Sequence, residues 1–100
     1  MSTTPAVLYR GAAATSSTTL YTVPASTTAI VTDILVSNTA ATAATFTISL
    51  NGTAIIPATP ISANSTALFS MKQVVTTGQL IAGFASATTI NFSISGVTLV

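Results

Sequence analysis

The chain has 100 residues, only three of them formally charged (Arg10, Asp33 and Lys72), for a net charge of +1, and it contains no Glu, His, Cys or Trp. An ordinary soluble domain carries about a quarter charged residues. The deficit excludes a disulfide framework and a thiolate or imidazole zinc site, and leaves no long-range field to draw in nucleic acid, an anionic membrane or an acidic substrate.

One hundred residues make a single domain with a modest core, which the 49% apolar content can fill. About a third of the chain is Ser and Thr, so the polar surface is hydroxyl and amide rather than ionic. The mean hydropathy is +0.78, yet no stretch reaches the roughly eighteen apolar residues of a spanning helix. The first residues, MSTTPAVLYRGAAATSS, lack a basic region followed by a long apolar run, so no secretory signal is expected.

Residues 1–18 read as an N-terminal arm, with room for one short strand at Ala6 to Tyr9. From residue 19 to 100 strand follows strand. Leu20 to Val23 stops at Pro24, which cannot donate to a ladder. Thr28 to Asn38 is apolar on both faces for part of its length. Simple alternation puts Ile30, Ile34 and Val36 on one side, Val31 and Leu35 on the other. Ala44 to Leu50 alternates cleanly and ends at Asn51-Gly52, a two-residue hairpin turn whose members tolerate positive φ. Thr53 to Ile56 returns, and Pro57 and Pro60 predict a bend. Ser62 to Ser65 is a turn before a strand at Thr66 to Met71. Lys72 to Gly78 reads as a connection with room for one helical turn. Gln79 to Ser86 and Thr88 to Val100 are the last strands, with a bulge predicted near Ser95-Gly96, where the apolar parity moves to Val97 and Leu99. About eight strands with turn signals between them predict an all-β, antiparallel β-sandwich. Eight strands suit a jelly roll, whose two Greek keys use them all.

The residue inventory points away from catalysis. One carboxylate and no imidazole leave neither a carboxylate pair for glycoside hydrolysis nor a Ser-His-Asp triad. Lys72 is the one side chain that could activate a hydroxyl nucleophile, and it reads more simply as an exposed loop residue or an interface contact. No metal or other cofactor is expected. Asp33 reads as a hydrogen-bonded structural carboxylate, or as a ligand shared between copies at a symmetry axis. Arg10 is either a two-pronged anchor onto a neighbour's carboxylate or a solubilising group. Tyr9 and Tyr21 suit an interface, since the ring packs while the hydroxyl stays hydrogen-bonded; a sugar-stacking surface is the other reading. Phe46, Phe69, Phe84 and Phe92 fall in alternating patterns and read as core. The candidate interface residues are thus Tyr9, Arg10, Tyr21, Asp33 and Lys72.

The stretch LYTVPASTTAIVTDILVSNT (20–39), with NGTAI (51–55), ISANST (61–66), KQVVTTGQLI (72–81) and SISGV (93–97), resembles small β-sandwich structural proteins of tailed-phage virions. Where that group often has Gly-Lys this chain has Ser26-Thr27, and Gln79 stands where an acidic residue is common; both changes remove charge. The resemblance spans most of residues 20–97 and leaves the first eighteen uncovered. It implies a capsid decoration protein bound in many copies to the phage head through the major capsid protein, associating with itself as a homotrimer. A tail, fibre or adhesion module contacting a host surface is the other function it implies. Location on the virion head surface, after synthesis in the host cytoplasm, follows from the first of these.

Composition adds an independent reason to expect self-association. Strands rich in Val, Ile, Thr and Phe, with almost no charge to guard their edges, pair readily with other strands.

Overall fold

The computed structural model describes residues 3–100, and no helix occurs among them. Eight strands follow one another: β1 (Thr3–Ala12), β2 (Thr18–Thr22), β3 (Thr28–Asn38), β4 (Ala44–Leu50), β5 (Thr53–Ile61), β6 (Thr66–Thr76), β7 (Leu80–Ala85) and β8 (Ile90–Leu99). They pair in a nested series: β4 with β5, β3 with β6, β2 with β7 and β1 with β8, all antiparallel. The chain is in effect one long hairpin whose tip is the Asn51-Gly52 turn. Both turn residues have positive φ, 48° and 85°, the geometry that matches the twist of the flanking strands.

Rolling that hairpin over gives two four-stranded sheets, β1-β8-β3-β6 and β2-β7-β4-β5. This is the jelly-roll order. The inner faces meet through Ile34, Val36, Phe92 and Ile94 from the first sheet and Phe46, Ile48 and Ile81 from the second, all essentially inaccessible to water. Phe46 lies at the centre, edge-on to Phe69 at 5.6 Å and to Phe92 at 5.9 Å. Burial of each such side chain contributes about 1.5–3 kcal/mol.

Asn38, buried at the end of β3, ties the loops at one end of the sandwich. Its Nδ2 donates to the carbonyls of Thr42 at 2.8 Å, Ile61 at 3.3 Å and Ser62 at 3.4 Å. Its Oδ1 accepts from Ala40 N–H at 3.0 Å and from Thr89 Oγ1 at 3.2 Å. Three loops are thereby held by one side chain.

Several local expectations change. Residues 3–12, within the stretch read as an arm with room for one short strand, form a ten-residue strand paired along β8. This part of the arm belongs to the sandwich. Leu8 is buried, and Ala6 and Tyr9 pack against the core. Pro57 and Pro60 do not end β5, because β5 is an edge strand and a proline there can turn its missing N–H to solvent. Register shifts at this point absorb the irregularity, and the Ala58 N–H bonds to Thr47 Oγ1 at 3.1 Å instead of to a carbonyl. The expected connection at Lys72 to Gly78 is strand as far as Thr76, and the turn occupies only the residues after it.

The irregularity foreseen at Ser95-Gly96 exists, but the neighbours carry it. Leu8 on β1 and Thr32 on β3 are the unpaired residues, while β8 keeps strict alternation with Gly96 inward and Val97 and Leu99 outward. The Thr32 bulge reverses the parity of β3. Val31 and Ile34 therefore both face the core, and Ile30 faces out with Leu35. Phe84 is the one phenylalanine outside the core. It pairs with Thr47 on the outward side of β7, while its neighbours Gly83 and Ala85 face in.

Candidate interaction surface

The outer face of the β1-β8-β3-β6 sheet is built in rows by the strand register. One row crosses all four strands as Pro5, Val97, Ile30 and Val74 and is wholly apolar. The next runs Val7, Ser95, Asp33 and Ser70. A third runs Arg10, Ser93, Leu35 and Leu68. Each row contains residues distant in sequence, which pairing alone brings side by side.

Among the described residues, this face carries four of the five large apolar side chains most open to water: Val7 (55% exposed), Leu35 (40%), Leu68 (62%) and Val74 (59%). Scattered exposed apolar residues are ordinary on any protein surface. Four gathered on one sheet face, flanked by Pro5, Val97 and Ile30, form a patch of the kind that marks contact with another molecule.

All three charged residues lie on the same face. Arg10 Nε donates to Ser93 Oγ at 3.3 Å, which holds the guanidinium along the sheet. Asp33 accepts from Ser70 Oγ at 3.4 Å, long for an O–H donor. Lys72, exposed on β6, shares a shallow groove with Asp33, Thr32, Ser70 and Met71. A second groove beside it, between β1 and β8, is lined by Pro5, Val7, Thr32 and Val97 among others. Thr32 borders both because the β3 bulge lifts it there, and its Oγ1 donates to the Ser95 carbonyl at 3.2 Å.

The two tyrosines do not join this cluster. Tyr9 follows the Leu8 bulge, packs against the core, and donates its hydroxyl to the Ala12 carbonyl at 3.0 Å. Tyr21 lies in the other sheet on β2, paired with Ile81 and packed on the core. Of the five interface candidates, Arg10, Asp33 and Lys72 come together, and Tyr9 and Tyr21 lie apart.

The opposite outer face, on the β2-β7-β4-β5 sheet, presents Thr45, Thr47 and Ser49 on β4 with Phe84 beside them, and carries no charge. The two faces thus differ in kind. One is apolar with three charges, the other a hydroxyl ladder. The apolar residues of the first were not legible as a site, because Ile30, Leu68, Val74 and Val97 each read as ordinary strand residues until the register aligned them.

No family model, curated protein or solved structure matches the chain.

Proposed function

We propose that this chain is a virion structural protein, a decoration subunit that binds the assembled head of a tailed phage in many copies and stabilises it. The observation that carries the reading is the outer face of the β1-β8-β3-β6 sheet, where the chain's three charges and most of its exposed apolar side chains gather. The near absence of charge elsewhere, the jelly-roll order and the resemblance to small phage β-sandwich proteins support it. Jelly rolls also serve as lectin domains and cupins, so the fold by itself does not choose among functions.

The mechanism is cementing. A protein that binds the assembled lattice and not its free subunits stabilises the lattice by mass action. The partner is the major capsid protein, met through a sheet face rather than a pocket, and no catalysis or cofactor enters. Self-association into a homotrimer belongs to the same proposal and comes from the resemblance.

Copy number per purified particle tests it, by quantitative mass spectrometry against the major capsid protein. Hundreds of copies per particle are expected. A handful would move the assignment to a tail or fibre module, and absence from particles would overturn the virion reading.

A further inference from the structure

A sandwich of two open sheets has four edge strands: β1 and β6 on one sheet, β2 and β5 on the other. Exposed edges invite pairing, and proteins blunt them with short strands, prolines and bulges. Three of the four are blunted here. β1 carries Pro5 and the Leu8 bulge. β2 has five residues and a register shift at Leu20. β5 carries Pro57 and Pro60 and two shifts.

The remaining edge, β6, has eleven residues and neither proline nor glycine. It has one irregularity against β3, near Met71-Lys72. Its facing, read from the register with β3, keeps its parity through that point: Leu68, Ser70, Lys72, Val74 and Thr76 face out, Phe69, Met71 and Val75 face the core, and Gln73, opposite Val31 on the inward side, is exposed at the margin of the sandwich. Its single guard is Lys72.

We propose that β6 pairs antiparallel with β6 of a second copy about a two-fold axis, joining two β1-β8-β3-β6 sheets into one of eight strands. The inference rests on the edges of this fold and does not need the virion reading. Full overlap of Thr66–Thr76 with itself places Met71 on the axis and fixes every other pair. Leu68 then meets Val74 of the second copy, and Val74 meets Leu68, so the two most exposed apolar residues of the strand cover one another.

The same register sets Lys72 opposite Ser70 of the second copy. Ser70 is already paired with Asp33, so each lysine lies in one row with the other copy's Asp33, two strand spacings or about 10 Å away at the backbone. The small Ser70 side chain between them leaves the lysine room to reach across. Lys72, which blunts the edge against strands in general, thereby becomes the group that selects this one. Moving the register so that Lys72 faced itself would set like charges opposite each other, which is destabilising. The apolar row Pro5, Val97, Ile30 and Val74 also continues through the joint into Leu68 and Leu35 of the second copy. Each chain has one β6, so this contact joins copies in twos and is separate from any threefold contact.

The parent chain has no cysteine, which makes introduced thiols unambiguous. The Leu68→Cys/Val74→Cys double variant should oxidise to a disulfide-linked pair on a non-reducing gel. Each single variant should stay unlinked, because like positions then lie about 20 Å apart along the strands, far beyond the span of a disulfide. Sedimentation of the unmodified chain should give an even number of copies. The Leu68→Lys/Val74→Lys variant, altered only at exposed positions, should keep its β-type circular dichroism and halve that mass. Linking in a single variant as readily as in the double would overturn the proposal. So would a monomer or a bare trimer for the unmodified chain, or an unchanged mass for the folded lysine variant.

Discussion

The α-carbon of Gly96 in β8 lies against the carbonyl oxygen of Ile30 in β3 so closely that no β-carbon fits between them. This approach occurs where the Thr32 bulge presses β3 against β8, beside the Leu8 side chain. The obstacle is backbone, which cannot swing aside as the end of a side chain can. Gly96→Ala is therefore expected to cost about 3 kcal/mol, lowering Tm by about 12–24 °C for a domain of this size. Gly52→Ala meets no neighbour and should cost only the left-handed backbone strain, about 1–2 kcal/mol. Thermal unfolding followed by circular dichroism separates the two. Equal losses would mean that the β3–β8 approach is not tight.

Asn38 supplies a second prediction. Asn38→Ala leaves the carbonyls of Thr42, Ile61 and Ser62 and the Ala40 N–H without this partner, and should cost about 2–4 kcal/mol in denaturant unfolding. Asn38→Asp keeps the shape but sets a carboxylate among those carbonyl oxygens, which favours its protonated form and raises its folded-state pKa above the unfolded value of about 3.9. Between those two values the folded state holds more protons than the unfolded state. Stability should thus be greatest below about pH 4 and fall as pH rises through the raised pKa. A pH-independent stability for Asn38→Asp would show that its side chain has left the network.

The guarding of β5 by its prolines can be removed. Pro57→Thr/Pro60→Thr restores two N–H groups on an exposed edge. The variant should self-associate at concentrations where the parent does not add copies, read as a rise in light scattering. No change would mean that the bulges alone protect this edge.

Parts of this fold are plain in the sequence and parts are hidden, for reasons that particular residues make clear. The bounds of β3 and β4 are legible because Ala44, Phe46 and Ile48 alternate with Thr45, Thr47 and Ser49, and because Asn51-Gly52 makes one kind of turn well. β1 is obscured because its inward residues are small or interrupted by the Leu8 bulge. Prolines make β5 look broken, since a proline suits a bend and an edge strand alike, and only the pairing distinguishes the two. The facing of Ile30 is lost for a related reason: a single unpaired residue, Thr32, reverses parity and leaves no mark in composition. The candidate interaction face is the hardest part to read. Arg10, Asp33 and Lys72 stand out as the only charges, yet the apolar rows around them exist only in the register between β1, β8, β3 and β6.

If this face makes the proposed contact with the shell, that attachment should be insensitive to salt. Ion pairs between exposed groups are screened as ionic strength rises, while apolar burial is not. The bound fraction on particles should hold from about 0.1 M to about 1 M NaCl, where the Debye length falls from about 10 Å to about 3 Å. Release over that range, measured by sedimenting particles and quantifying the supernatant, would mean that Arg10, Asp33 and Lys72 carry most of the binding.

Cryo-electron microscopy of the virion tests the central claim most directly. The account predicts density for the jelly roll at regular lattice points of the head, with the Pro5, Val97, Ile30 and Val74 row against the shell and the Thr45, Thr47 and Ser49 ladder toward solvent. Density confined to the tail, or the hydroxyl ladder seated on the shell, would contradict it.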